Sequence, residues 1–163
     1  MNHCRRIKFP RFKRSANTCD ILLTVSEYSK NAITNHFGIE RDKIKVLSNG
    51  ISDRYFLAYN RSEVRSQVKR EFGIENYFLM VSRIEPRKNQ ALVLKTFFDH
   101  KWDQNEVKLV FVGSKSLEYK AMDNFLSSLT DKQKESVHFI SEIDDQKLLN
   151  IYRGAEGFIY PSI

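Results

Sequence analysis

A chain of 163 residues, 41% hydrophobic and 29% charged, has the length and composition of one ordinary soluble domain with a real core. No apolar run approaches the ~20 residues of a transmembrane helix, the N-terminus lacks the apolar centre of a secretory signal, and Cys4 and Cys19 make neither a disulfide framework nor a metal-ligand set, so a reducing cytoplasmic setting is expected. The net charge of +7 is partly local, because Arg5, Arg6, Lys8, Arg11, Lys13 and Arg14 all precede the first acidic residue, Asp20.

That basic run, residues 5–14, suits the anionic inner face of a membrane, and equally one solvated helix face. Aromatics do not interleave with the later basic residues as a base-stacking platform requires, so no nucleic-acid partner is expected. Residues 1–18 contain Pro10 and show little periodicity. Ile21 to Val25 reads as a buried strand. Ser26 is an N-cap candidate for a helix to about Phe37, and Gly38 suits the left-handed position that ends it. Ile44 to Leu47 reads as a second short strand, and Asn49-Gly50 is a turn signal.

Residues 52–75 read as a connector containing a helix, with Val64, Val68 and Phe72 on one stripe and Gly73 as its stop. From residue 76 the pattern is regular. Tyr77 to Val81 is a strand, Gln90 to Phe98 a helix, and Val107 to Val112 a strand ending on Gly113. Leu117, Ala121, Met122, Phe125, Leu126 and Leu129 mark an amphipathic helix. Val137 to Ile140 is a third strand, Asp144 to Arg153 a helix with Leu148, Leu149 and Tyr152 inward, and Gly157 to Tyr160 a fourth strand. Strands alternating with helices mean a parallel sheet with right-handed crossovers.

Arg83 and Lys88 fall between the first of those strands and its helix. In open parallel sheets ligands bind at that end of the strands. Two cations beside the free N–H groups of a helix start suit a phosphate or diphosphate. Solvated loop charges are the competing reading. Gly113-Ser114-Lys115-Ser116 either approaches a ligand closely or simply permits a turn. His3, His36, His100 and His138 are scattered without partners at metal-ligand spacing, and Asp144-Asp145 suits helix capping better than acid–base work.

Several stretches together resemble one family. Ser82-Arg83-Ile84-Glu85-Pro86-Arg87-Lys88-Asn89 is similar to the Gly-Arg-x-x-x-(Arg)-Lys-Asn/Gly stretch of the group 1 glycosyltransferases (glycosyltransferase family 4, GT-B fold). Asp20 to Lys30 resembles that family's Ala-Asp-x-Ile-x-x-Val-Ser-x-x-Ser. Lys43 to Ile51 resembles its Lys-Ile-x-Val-Ile-x-Asn-Gly-Val, and Tyr160-Pro161-Ser162 its Tyr/Phe-Pro-Ser. The resemblance implies that Arg83 and Lys88 bind the diphosphate of a nucleotide-sugar donor. It also implies that backbone groups of Ser141, Glu142 and Ile143 hold the base, with Ser82 and Gly113 lining the site. Ser82 departs from the family's glycine.

The expected fold is α/β, an incomplete Rossmann-like parallel sheet of the GT-B donor-side domain with a remnant of the N-terminal domain. Residues 1–50 would be that acceptor-side remnant, 51–75 the connector and 76–163 the truncated donor-binding domain. The family's acidic residues for the sugar and ribose would follow Ser162, so the chain reads as a fragment with no catalytic residue of its own, inactive alone. The implied activity is retaining hexosyl or mannosyl transfer from a GDP- or UDP-sugar to a saccharide or lipid-linked acceptor in polysaccharide or glycoconjugate biosynthesis, without metal or cofactor. The location would be cytoplasmic, peripheral to the inner membrane face. A non-catalytic nucleotide- or phosphate-binding module is the alternative.

Overall fold

The computed structural model describes residues 3–162, with side chains from Pro10 onward, and divides the chain into two compact units, residues 1–56 and 57–163. Of the cations expected to act together between residues 5 and 14, the side chains of Arg5, Arg6 and Lys8 lie outside the described residues; Arg11, Lys13 and Arg14 are exposed.

The first unit runs α1 (His3–Thr18), β1 (Leu22–Thr24), α2 (Glu27–Phe37) and β2 (Ile44–Val46). A helix was one of the two readings of residues 5–14, although little periodicity marked its extent, and Pro10 lies inside it. Proline removes one backbone donor there. Ala16 of this helix is buried with Ile39 and Ile44, and Phe12 packs on Phe37 with ring centroids 5.0 Å apart. The Ser26 side chain caps α2 by accepting from the Ser29 N–H at 3.1 Å, and Gly38 ends that helix at φ 67°. β1 and β2 pair in parallel, Leu22 opposite Ile44. Asn49-Gly50, expected as a turn, lies in irregular backbone.

The second unit starts with α3 (Arg61–Phe72), capped by Asn60 and ended by Gly73 at φ 69°. Then follow β3 (Tyr77–Val81), α4 (Gln90–Asp99), β4 (Lys108–Val112), α5 (Lys120–Ser128), the short α6 (Asp131–Lys134), β5 (Val137–Ile140), α7 (Asp145–Gly154) and β6 (Gly157–Phe158). The strands form one parallel sheet in the order β5-β4-β3-β6. Both faces are covered, so its central strands read as apolar runs rather than alternating ones. On one face Met80, Leu109 and Phe111 pack with Val93, Leu94 and Phe97 of α4 and Met122 of α5. On the other, Tyr77, Leu79, Val110 and Val112 pack with Val64 and Val68 of α3 and Ile151 of α7.

The helix stripe expected from Leu117 starts later, because Leu117 is exposed and precedes α5. In α7 the fully buried side chain is Ile151, with Leu149 beside it, while Leu148 and Tyr152 are half-buried. Asp144 caps α7, accepting from the Lys147 N–H at 2.8 Å. β6 is shorter than the four residues expected, leaving Ile159 and Tyr160 in irregular backbone, although the Ile159 N–H still reaches the Leu79 carbonyl at 2.8 Å. Tyr77 donates its hydroxyl to the Ile151 carbonyl at 2.7 Å, fastening α7 to the sheet. Glu156 pairs with Arg61 and Arg65 at 3.0 and 2.6 Å and anchors α3.

Candidate functional site

All strands of the larger sheet point the same way, so the loops after β3, β4, β5 and β6 gather along one edge. That edge carries every residue expected to bind a donor. β3 is flanked by β4 on one side and β6 on the other, so strand order reverses beside it. A crevice opens outside the carboxyl ends of strands where such a reversal occurs.

The loop after β3 is held to the loop after β4. The Ser82 N–H donates to the Val112 carbonyl at 3.0 Å and the Ile84 N–H to the Ser114 carbonyl at 3.0 Å, while the Ser116 N–H donates to the Ile84 carbonyl at 3.3 Å. Gly113 stands inside this seam at φ 141°, and a Cβ there would lie 2.2 Å from the Ser82 carbonyl oxygen. Its glycine is thus required by the neighbouring loop. Two buried polar side chains complete the arrangement. Gln90, wholly buried, donates Nε2 to Ser82 Oγ at 3.1 Å and to the Arg83 carbonyl at 2.8 Å. The Ser82 hydroxyl is therefore turned to the start of α4. Glu85 is also buried. Its Oε2 accepts from the Ser116 hydroxyl at 3.3 Å, and its Oε1 lies 2.5 Å from a guanidinium nitrogen of Arg87. That close ion pair is not aligned as a hydrogen bond, and Oε1 has no other donor.

The three cations of the stretch differ. Arg87 is engaged by Glu85. Arg83 is exposed, and its guanidinium makes no hydrogen bond or ion pair among the described residues. Lys88 donates Nζ to the hydroxyl of Tyr160, in the chain after β6, and lies 4.6 Å from the centroid of the same ring. The phenol pKa is lowered, first by the hydrogen bond from Lys88 and then by one with Ser162.

The expectation of free N–H groups at the helix start needs correction. The Ala91 N–H donates to the Tyr119 hydroxyl at 3.3 Å, and the Leu92 and Val93 N–H groups donate to the Asn89 carbonyl at 3.1 and 3.3 Å. Those three N–H groups are therefore not open to an anion.

A second part of the edge lies between the ends of β4 and β5. A cleft of about 450 Å³ is lined by Ile84, Gly113, Lys115, Phe139, Ser141 and Glu142, among others. Its floor is apolar, and Lys115 Nζ at the rim is bound to both oxygens of Asp123 at 2.7 and 2.8 Å. Glu142 has φ 53°, so the loop after β5 turns through the left-handed region. The structure thus brings Gly113, Ser141 and Glu142 to one cleft and joins Ser82 to it through the Gly113 contact. Arg83 and Lys88 lie outside that lining, and the Ile143 side chain packs against the α3–α7 core. Reading the sequence did not find Gln90, Tyr119 or Tyr160 as site residues. A glutamine opening an otherwise apolar helix was the one available signal for the first.

Among the described residues no three His, Cys, Asp or Glu side chains could hold a metal ion, and no helix is long and apolar enough to cross a membrane. The His138 pKa is lowered, mainly by burial and then by Lys108, in keeping with a structural position within β5.

Known proteins resemble the chain throughout. The family described as "Glycosyl transferases group 1" matches residues 62–163, and that described as "Glycosyltransferase Family 4" matches residues 2–55. The O-antigen chain mannosyltransferase RfbU of Salmonella typhimurium is 28% identical over 157 residues, covering 93% of this chain and 38% of that protein. Spore coat protein SA of Bacillus subtilis is 26% identical, covering 86% and 40%. The chain spans about two fifths of the length of these curated relatives. Among solved structures, Anabaena HepE in complex with UDP and glucose superposes with a TM-score of 0.71 at 16% identity, over 91% of this chain and 39% of that one. A glycosyltransferase from Rickettsia africae superposes at 0.73 and 18%, over 94% and 42%. The fold is accordingly the Rossmann-like α/β fold of GT-B glycosyltransferases.

Proposed function

The chain belongs to the group 1 glycosyl transferases, and from that membership we propose that it forms the donor site of an enzyme moving a hexosyl group, mannosyl on the precedent of the O-antigen relatives, from a nucleotide-diphosphate sugar to a saccharide or lipid-linked acceptor. The observation that carries this reading is that Arg83 and Lys88 stand on the same edge of the sheet as a separate cleft lined by Gly113, Ser141 and Glu142. In the reaction the bond between the anomeric carbon and the diphosphate oxygen breaks, its electron pair stays with the diphosphate, the acceptor hydroxyl oxygen bonds to that carbon with retention, and the hydroxyl proton passes to the leaving diphosphate. Arg83 and Lys88 oppose the charge that grows on the leaving diphosphate. Backbone groups of Ser141, Glu142 and Ile143 hold the base, and Gly113 lets the Ser82 loop pack directly on the chain after β4. A mannosyl donor agrees with the RfbU relative, and a UDP-sugar with the HepE neighbour.

The activity proposed is that of a protein of the relatives' length. The 163-residue chain alone is expected to bind donor without turnover. Polysaccharide or glycoconjugate assembly on the cytoplasmic face of a membrane is the setting proposed, with the exposed Arg11, Lys13 and Arg14 of α1 contributing to contact with anionic lipid.

Radiolabelled UDP- and GDP-sugars with an acceptor extract test this reading, using the chain beside a longer protein that contains it. Label transfer by the longer protein and donor binding by both is the expected result. Binding without transfer by either would favour the non-catalytic nucleotide-binding module.

A further inference from the structure

We propose that Tyr160 is a positioning residue for Lys88, holding its ammonium ready for the donor's diphosphate; this rests on the donor-site reading above. The two residues reach the edge from strands on opposite sides of the reversal, Lys88 after β3 and Tyr160 after β6. Their contact therefore bridges the crevice in which a ligand is expected. Tyr160 restrains the lysine through its hydroxyl, which accepts from Nζ and leaves the ammonium at the hydroxyl end of the ring, 4.6 Å from its centroid.

An ammonium has three N–H donors, so one engaged with the phenol leaves two for phosphate oxygens. A lysine side chain that waits in place does not lose its rotamer freedom at the moment of binding, and affinity gains accordingly. Tyr160 is itself supported, because Ser162 hydrogen-bonds its hydroxyl and the Phe158 ring stacks on it at 6.0 Å and 16°. Arg87 does not compete for the role, since Glu85 holds it. Tyr160 is 51% exposed and outside regular structure, so replacing it leaves the core untouched.

Calorimetry of UDP and GDP binding to the full chain tests the proposal, with Lys88→Ala, Tyr160→Ala, Tyr160→Phe and the Lys88→Ala/Tyr160→Ala double variant. Tyr160→Ala and Tyr160→Phe are each expected to weaken the better-bound diphosphate by about 3- to 10-fold, since both remove the hydroxyl that holds Nζ. In the Lys88→Ala background the tyrosine change should then do almost nothing. A second readout needs no ligand. The NMR signal of isotopically methylated Lys88, identified by its loss in Lys88→Arg, should be displaced from the free-lysine position beside the phenol and return to it in Tyr160→Ala.

Unchanged affinity in Tyr160→Ala with a loss in Lys88→Ala would overturn the positioning role while leaving Lys88 in the donor site. An equal effect of Tyr160→Ala with and without Lys88 would also overturn it. Failure of both diphosphates to bind, or unchanged affinity in Lys88→Ala, would overturn the donor-site reading and this inference with it.

Discussion

A side-chain carbon on Gly113 would lie 2.2 Å from the carbonyl oxygen of Ser82, far inside any permitted contact. The residue also has φ 141°, where a side chain is strained regardless of space. Gly113→Ala is therefore expected to force the two loops apart and destabilise the fold by roughly 1–3 kcal/mol, as overpacking does. Urea denaturation would show a lower midpoint with unchanged slope. An unshifted midpoint would mean that the seam opens without cost.

Arg83→Ala and Lys88→Ala should each weaken nucleoside diphosphate binding by roughly 1.5–3 kcal/mol, the range for hydrogen bonds to charged groups. Arg87→Ala should matter much less, because that guanidinium is already paired with Glu85. Calorimetry on the three variants checks the order. An effect of Arg87 equal to that of Lys88 would contradict it.

Gln90 ties the turn after β3 to the first residue of α4 through two hydrogen bonds. Gln90→Ala removes both bonds and empties the space of a wholly buried side chain, at a cost of about 1–3 kcal/mol. Thermal unfolding measures that cost. Hydrogen exchange should also show faster opening of residues 82–89, and protection equal to wild type would argue against the tether.

Burial pushes the Tyr77 phenol well above its ordinary value of 10.0, an effect that nearby Arg65 and Arg61 only partly offset. Above about pH 10 the unfolded chain releases a proton that the folded protein retains, so stability falls as pH rises through that region; below it this group contributes no pH dependence. Tyr77→Phe should flatten the alkaline loss. It should also lower stability near neutrality by about 1 kcal/mol, through the lost bond to the Ile151 carbonyl. Urea midpoints across pH 8 to 11 read both effects.

Much of the second unit was legible because its periodicities are local. Strand and helix alternate from Tyr77 to Gly154, and the stops at Gly38 and Gly73 and the caps at Ser26 and Asp144 each depend on residues within one turn. The extent of the helix over His3–Thr18 was not legible, since its sequence has no regular apolar stripe and contains a proline. In the site, the positions of Arg83, Lys88 and Gly113 could be read because strand ends can be read. Which cation stands open could not, because that depends on Glu85 and Tyr160, and the latter lies 72 residues from Lys88. The satisfied N–H groups of α4 were equally hidden, because Tyr119 comes from beyond β4.

The seam between residues 82–84 and 112–116 limits how the edge can change in length. Each loop borrows its shape from the other, so a residue inserted in one breaks the register of both. The chain after β5 has no such partner among the described residues, apart from the Gly113 N–H bound to the Ile140 carbonyl at 2.9 Å. Length variation and grafted recognition segments will be accommodated around residues 141–144, while the stretch that carries Arg83 and Lys88 stays at one length.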